Sequence, residues 1–136
     1  MLEKILFDNN PTILLGKMLD RAALYQRVIS ANIANVGTPG YRRLGVSFDE
    51  KLKNAMESGV KNLKRTHPKH LPASDRLKKI KPEVVMVENG YFNGINNVNI
   101  DEEMVELAKN QLDFNTSAKL LNLRFAQLRT AIRGRR

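Results

Sequence analysis

Apolar residues recur at alternating intervals of three and four positions near both ends of this chain. In the amino-terminal part, this repeat consists of Leu15, Met18, Ala22, Tyr25 and Ile29. Such spacing places the side chains on one face of an α-helix. Asn10 as a cap and Pro11 as the first helical residue predict where the helix begins, and the pattern ends near Asn35.

A longer helix is predicted from Asn99 onward, because Glu102 follows three residues later and completes a capping-box pattern. The 3-4 spacing then continues over about four heptads with Gln111 as a polar interruption, which is typical of a coiled-coil seam. The seam residues are Met104, Leu107, Phe114, Ala118, Leu121, Phe125, Leu128 and Ile132. The two helices are expected to pair as an antiparallel coiled-coil hairpin, so the fold class is mainly α. A flank of apolar residues beside the seam is expected to pack partly against other subunits, and it consists of Val105, Ala108, Leu112, Leu120 and Leu123.

A tight turn is predicted directly after the first helix. Gly37 is expected to end the helix in a left-handed conformation. Thr38-Pro39-Gly40-Tyr41 fits a type II turn, since proline fixes φ at the second position and glycine permits a positive φ at the third. The turn directs the following chain away from the hairpin.

The middle of the chain lacks sustained helical periodicity and is expected to be irregular or partly β. A short helix is predicted near residues 47–57, and the proline- and charge-rich residues 61–82 are expected to form a loop. Residues 83–88 predict a strand that enters a hairpin turn at Asn89-Gly90. The predicted organisation is therefore a first helix and turn over 1–41, a basic, loop-rich middle segment over 42–98, and a second helix over 99–136.

Charge is distributed unevenly along the 136 residues. The net charge is +9, and residues 51–82 hold ten Lys and Arg against two Asp and Glu, which leaves +8 in this segment. A chain without cysteine has no disulfide or thiolate metal site. The apolar runs are too short for a signal-peptide core or a membrane span of about 20 residues.

Candidate catalytic chemistry is sparse. His67 and His70 form a pair around Pro68, which argues against a helical metal motif, and a structural or incidental role is expected. The carboxylates over residues 101–106 are accounted for as negative charges at a helix start. No phosphate-binding glycine loop or activated nucleophile is recognisable. We therefore expect a protein that is not an enzyme and that binds no metal or cofactor.

The basic middle segment leaves an alternative from a different functional class. A charge of +8 could neutralise several phosphates of a nucleic acid. The segment lacks interleaved aromatic residues for base stacking and shows no familiar docking motif. A solvated basic loop, or a loop that packs against acidic neighbours, explains the same charge.

Residues 31–42, Ala-Asn-Ile-Ala-Asn-Val-Gly-Thr-Pro-Gly-Tyr-Arg, resemble the amino-terminal signature of bacterial flagellar rod and hook proteins. That signature reads Asn-Ile-Ala-Asn, one residue, then Asn-Thr-Pro-Gly-Tyr, and the matching residues are Asn32, Ile33, Ala34, Asn35, Thr38, Pro39, Gly40 and Tyr41. Gly37 replaces the usual asparagine. Residues 97–132 resemble the matching carboxyl-terminal helix. The short middle segment and residues 66–71 resemble the proximal rod members, with two sister proteins as close alternatives.

The resemblance implies a structural subunit that assembles with other rod subunits into a hollow helical drive shaft in the flagellar basal body. The implied partners are basal-body adaptor and membrane-ring proteins and the flagellar export apparatus, with no nucleic acid. Export without a cleaved signal peptide is expected. Phe48 and Leu52 resemble an export-recognition pattern of this family, although an ordinary amphipathic turn explains the same spacing.

Overall fold

Two long helices dominate the computed structural model, which describes residues 11–61, 79–88 and 90–134. The described elements are α1 (Pro11–Ala34), β1 (Leu44–Ser47), α2 (Asp49–Lys61), β2 (Glu83–Met86) and α3 (Ile100–Arg133). The predicted cap Asn10 and the histidine pair His67 and His70 lie outside the described residues, as does most of the predicted loop at 61–82. The short helix predicted near residues 47–57 is present as α2, which begins two residues later than expected.

Helices α1 and α3 pair antiparallel, as the apolar spacing predicts. Arg21 faces Asp113, Tyr25 faces Glu106, and Asn32 faces Glu103. Residue numbers rise along one helix as they fall along the other, so the helices run in opposite directions. The helices have 24 and 34 residues, or about 36 and 51 Å at 1.5 Å per residue. Their register puts Pro11 level with a residue near 122. The last turns of α3 therefore extend past the described end of α1.

The start of α3 follows from its local sequence. Asn99 has an extended backbone and its side-chain oxygen accepts a hydrogen bond from the Asp101 amide at 3.0 Å. Its side-chain nitrogen donates to Glu102 at 3.4 Å. An N-cap side chain satisfies an amide that has no partner inside the helix. The predicted helix start is confirmed.

Strands β1 and β2 form a two-stranded antiparallel sheet in which Gly45 is opposite Val85. The predicted strand at 83–88 is confirmed over residues 83–86, but the predicted hairpin turn at Asn89-Gly90 is wrong. The partner strand precedes β2, and none of residues 90–99 lies in a strand. Short apolar runs carry no information about which strand they pair with, which explains the error.

The apolar core lies along α1, from its first turns to the end where β1 and the loop before α3 meet it. Its buried members are Leu14, Leu15, Ala22, Val28, Ile29, Phe48 and Val98. Five of these seven residues belong to α1. The amino-terminal helix is therefore the element around which the rest of the chain packs.

Candidate functional site

The family-like motif at the end of α1 forms a buried hydrogen-bonding centre on Asn32, which is 1% exposed. Its side-chain nitrogen donates to the Leu44 carbonyl at 2.9 Å and to Glu103 at 3.1 Å. Its oxygen accepts from the Leu44 amide at 2.9 Å and from the Tyr41 hydroxyl at 3.2 Å. One amide side chain thus acts as a strand partner for β1 and holds the turn against the helix.

The turn itself has the predicted type II geometry at its centre. Gly40 has a φ of 71°, and the Tyr41 amide donates to the Thr38 carbonyl at 3.3 Å. The prediction for Gly37 is wrong, because that residue is not among the glycines with positive φ. The helix end tightens instead, since the Val36 amide donates to the Ile33 carbonyl three residues back. A left-handed residue is therefore not needed at position 37.

The carbonyl groups exposed by this helix end are capped from a distance. The Asn96 side-chain nitrogen lies 3.0 Å from the Asn35 carbonyl, 2.9 Å from that of Val36 and 3.0 Å from that of Thr38. Asn96 is 3% exposed, and the two hydrogens of its amide nitrogen are shared among these three carbonyls. Asn35 contributes locally, because it donates to Ala31 and accepts from Thr38.

Asn96 and Asn97 together form what we call the clamp, because Asn97 makes similar side-chain to backbone hydrogen bonds at the strands. Its oxygen accepts from the Arg43 amide at 2.7 Å, and its nitrogen donates to the Val87 carbonyl at 2.9 Å. Asn93 binds the Ile95 and Asn96 amides and so fixes the loop that presents both clamping residues. Sequence reasoning missed these roles. The available signal was the density of asparagine over residues 93–99, a residue type that forms local side-chain to backbone bonds.

A buried ion pair joins the turn to α3. Arg43 Nε lies 2.5 Å from Glu103, whose side chain is 0% exposed. Burial acts to lower the pKa of Arg43, but the hydrogen bond and the negative charge of Glu103 outweigh it, and the pKa lies above its ordinary value. The acidic run at the helix start was predicted to complement the helix dipole alone. Glu103 has this more specific role because its face of α3 meets α1.

A second polar contact links the helices near Tyr25. Its hydroxyl donates to Glu106 at 3.3 Å. Burial, followed by the negative charge of Glu106, raises the pKa of Tyr25. A hydrogen bond from Lys109 lowers the pKa of Glu106. These groups add polar specificity to the pairing of the two helices.

The residues that α3 buries against α1 are unexpectedly polar. Glu103, Asn110 and Ser117 recur every seven residues and are at most 3% exposed. The Asn110 side chain donates to the Ala22 carbonyl at 3.0 Å and to Gln26 at 3.2 Å, while its oxygen is buried without a hydrogen-bond partner among the described residues. The intrachain contact is therefore one position away from the predicted Met104, Gln111 and Ala118.

The predicted seam residues differ in how far they are buried. In α1, Leu15, Ala22 and Ile29 are buried and Met18 and Tyr25 are half-buried. In α3, only some of the apolar seam residues are half-buried within the chain, while the others are exposed. Leu107, Ala118 and Leu121 are half-buried, whereas Met104, Phe114, Phe125, Leu128 and Ile132 are 53, 39, 45, 48 and 84% exposed.

Two separate reasons account for the exposure of four of these five residues. Phe125, Leu128 and Ile132 continue the face that contacts α1, but they lie beyond the level of Pro11. Met104 lies a quarter turn or so from Glu103, at roughly 100° per residue. We call the exposed residues Phe125, Leu128 and Ile132 the end patch. Val105, Leu112 and Leu123 lie about 180–200° from Glu103 and are 52, 68 and 61% exposed; we call them the back stripe.

The export-like pattern does not form an exposed site. Phe48 is 2% exposed and Leu52 is half-buried. The Leu52 amide donates to the Phe48 carbonyl at 2.9 Å, which places the two residues one turn apart at the start of α2. In the folded chain, Phe48 is a core residue.

Within the described residues, no group of three or more His, Cys, Asp and Glu side chains is arranged to hold a metal ion. Among the described helices, none is long and apolar enough to cross a membrane. The polar clusters described above have structural partners, and large exposed apolar side chains lie on α3, on β2 and in the loop at 91–95.

Comparisons with known proteins agree with the motif. A family model for the flagella basal body rod protein matches residues 19–42. The chain is 35% identical over 120 residues to flagellar basal body rod protein FlgB of Bacillus subtilis (strain 168), across 88% of this chain and 91% of that protein. It is 38% identical over 102 residues to FlgB of Borreliella burgdorferi, across 71% and 76%. FlgB of Buchnera aphidicola subsp. Baizongia pistaciae is 28% identical across 98% of this chain and all of its own length.

Proposed function

The chain belongs to the flagellar basal body rod protein family, and we propose that it is a structural subunit of the proximal rod that assembles through α3. Each relative named above is a FlgB, which favours this type over the sister proximal rod protein. In this role, the subunit builds a hollow helical shaft together with other rod proteins. Catalysis plays no part in the proposal.

The observation that carries the proposal is the exposure of large apolar side chains on α3. The back stripe faces away from α1, and the end patch lies beyond it. Removal of apolar surface from water contributes roughly 25 cal/mol per Å². A helix with apolar residues on two sides is therefore more stable between neighbours than alone, and a repeated contact that does not close on itself produces a filament.

The test is a charge placed in the end patch. Phe125→Asp is expected to prevent rod assembly, because a carboxylate cannot be buried between apolar neighbours without a large desolvation cost. Asn122→Asp is the matched control, since Asn122 is exposed and polar on the same part of α3. Basal bodies isolated from each strain would be imaged. Complete rods built from Phe125→Asp subunits would refute the assembly role.

The partners in this proposal are other rod subunits, basal-body adaptor and membrane-ring proteins and the export apparatus, and the location is the basal-body rod. Export through Phe48 and Leu52 requires that the export apparatus can reach both side chains. Because Phe48 is buried in the folded chain, the export apparatus would have to bind this pattern before β1 and α2 fold onto α1.

The nucleic-acid alternative remains testable on the same protein. Binding through residues 51–82 would show as a mobility shift of DNA or RNA that weakens steeply with salt. We propose no such activity, because each relative named above is a rod protein and some described basic residues in or near this segment form ion pairs. Lys51 pairs with Glu83, and Arg21 pairs with Asp49 and Asp113.

A further inference from the structure

The described strands and α2 follow the turn and pack against the helical hairpin, and we call this segment the arm (residues 43–61 and 79–88). Four kinds of contact hold it to the hairpin. Phe48 packs in the core, Arg21 bridges Asp49 and Asp113, Asn32 and Asn97 bind backbone groups of the arm, and Glu103 binds Arg43. These contacts differ in what they determine.

Apolar packing and exposed ion pairs constrain the arm only weakly in direction. The burial of Phe48 favours contact without a preferred orientation, because the hydrophobic effect is non-directional. The carboxylates of Asp49 and Asp113 are 77 and 58% exposed. Water and salt screen such pairs, so they fix geometry poorly.

Glu103 makes directional contacts away from water. One carboxylate oxygen accepts from Arg43 at 2.5 Å and the other accepts from Asn32 at 3.1 Å. Asn32 in turn binds both the amide and the carbonyl of Leu44. A carboxylate of α3 therefore orients the two residues that open the arm, directly at Arg43 and through Asn32 at Leu44.

We propose that Glu103 is a positioning residue that makes the orientation of the arm conditional on the pairing of α3 with α1. If α3 leaves α1, Arg43 and Asn32 lose their shared acceptor. Asn97, two residues before the cap of α3, moves with that helix, so the arm keeps its packing but loses its fixed direction. This inference rests on the proposed function, because only a subunit that assembles needs an arm with a fixed orientation. A rod subunit would present its arm in one orientation only after its two helices have paired.

The first test compares Glu103→Gln with Glu102→Gln in the full-length purified chain. Arg43 and Asn32 donate to different oxygens of Glu103. Glutamine puts an NH2 donor in place of one of these oxygens, so one of the two donors then faces another donor. Glu102 is the control because it is its exposed neighbour. Hydrogen exchange of the arm amides at 43–47 and 84–87 is expected to accelerate at least tenfold in Glu103→Gln. Amides of 22–31 and 104–117 should change less than threefold, and Glu102→Gln should match the wild type.

A second variant separates orientation from general stability. Replacement of Arg43 and Glu103 together by methionine removes the buried charges as a pair, which commonly preserves stability where loss of one partner does not. The proposal expects this double variant to have a thermal midpoint close to that of the wild type, while its arm amides still exchange as fast as in Glu103→Gln. Recovery of arm protection along with stability would overturn it, as would equal acceleration in arm and hairpin amides in Glu103→Gln.

The orientation itself can be measured because the chain has no cysteine. Spin labels at Lys81→Cys, next to the arm's second strand, and at Lys119→Cys on α3 use two exposed positions. The distance distribution between them is expected to be narrow in the otherwise wild-type chain and broad in Glu103→Gln. An equally narrow distribution in both would overturn the proposal. Both tests use monomers, so their outcome does not depend on whether Phe125→Asp blocks rod assembly.

Discussion

The polar centre at the turn end and the apolar patches of α3 satisfy their side chains in opposite ways. At the turn end, Asn32, Asn96 and Glu103 are buried, and each binds groups from distant parts of the chain. In the apolar patches, Leu123 and Ile132 are 61 and 84% exposed. Polar groups satisfied internally need no partner, whereas apolar side chains in water gain stability when a neighbour covers them. The turn end therefore determines the fold of the single subunit, and the end patch and back stripe are the parts suited to assembly.

The largest expected effect on the subunit alone is at Asn32. Asn32→Ala removes four hydrogen bonds and leaves the amide and carbonyl of Leu44 without their side-chain partner. Unsatisfied buried groups cost about 1–3 kcal/mol each, so the free energy of unfolding is expected to fall by about 3 kcal/mol. Urea unfolding followed by circular dichroism measures this change.

Asn115→Ala is the matched control for that experiment. Asn115 is an exposed asparagine on α3 that accepts one hydrogen bond, from Gln111 at 3.4 Å. Surface substitutions of this kind change stability by about 0.5 kcal/mol or less. If both alanine variants unfold at the same urea concentration, the turn end is not the specifying part of the molecule.

A smaller effect is expected where β1 passes close to β2. Gly45 is buried, and a Cβ atom added there would lie 2.5 Å from a methyl carbon of Val87. Valine has little freedom to rotate away. Gly45→Ala is therefore expected to destabilise the chain by about 1–3 kcal/mol through overpacking.

The second substitution Val87→Ala should relieve that clash. In a double-mutant cycle, the pair is expected to be more stable than the sum of the two single changes, as contacting residues show coupling. Additive effects in the cycle would mean that the strands separate easily and that the clamp does not extend to the sheet.

Features set by neighbouring residues could be predicted from the sequence. The start of α3 at Asn99 and the turn around Gly40 depend on side chains within three positions, and both are confirmed. The pairing of the long helices also followed from periodicity. These features need no knowledge of distant partners.

Contacts between distant residues could not be predicted in this way. Arg43 meets Glu103 from 60 positions away, and Asn96 reaches the Asn35 carbonyl from 61. The heptad pattern defines a stripe on α3 but not which edge of the stripe faces α1. Polar partners on α1 decide that edge, and they select Asn110 over its neighbour Gln111.

The smallest effect on the isolated subunit, and the sharpest contrast with the turn end, is expected in the back stripe. Leu112 is 68% exposed and lies about half a turn of helix from the residues that meet α1. Leucine and glutamine have similar helix propensities, so Leu112→Gln should change the free energy of unfolding by about 0.5 kcal/mol or less.

The same substitution should nevertheless reduce the number of rods in isolated basal bodies, because it removes apolar surface that the described part of the chain leaves exposed. Asn115→Gln, at an exposed position about 120° from Glu103 and outside the back stripe, controls for the introduction of glutamine on this helix. A loss of monomer stability in Leu112→Gln would place the back stripe in the fold of the single chain. An unchanged monomer with fewer rods would assign it to assembly, because an apolar side chain that does nothing for its own fold can still stabilise the contact that covers it.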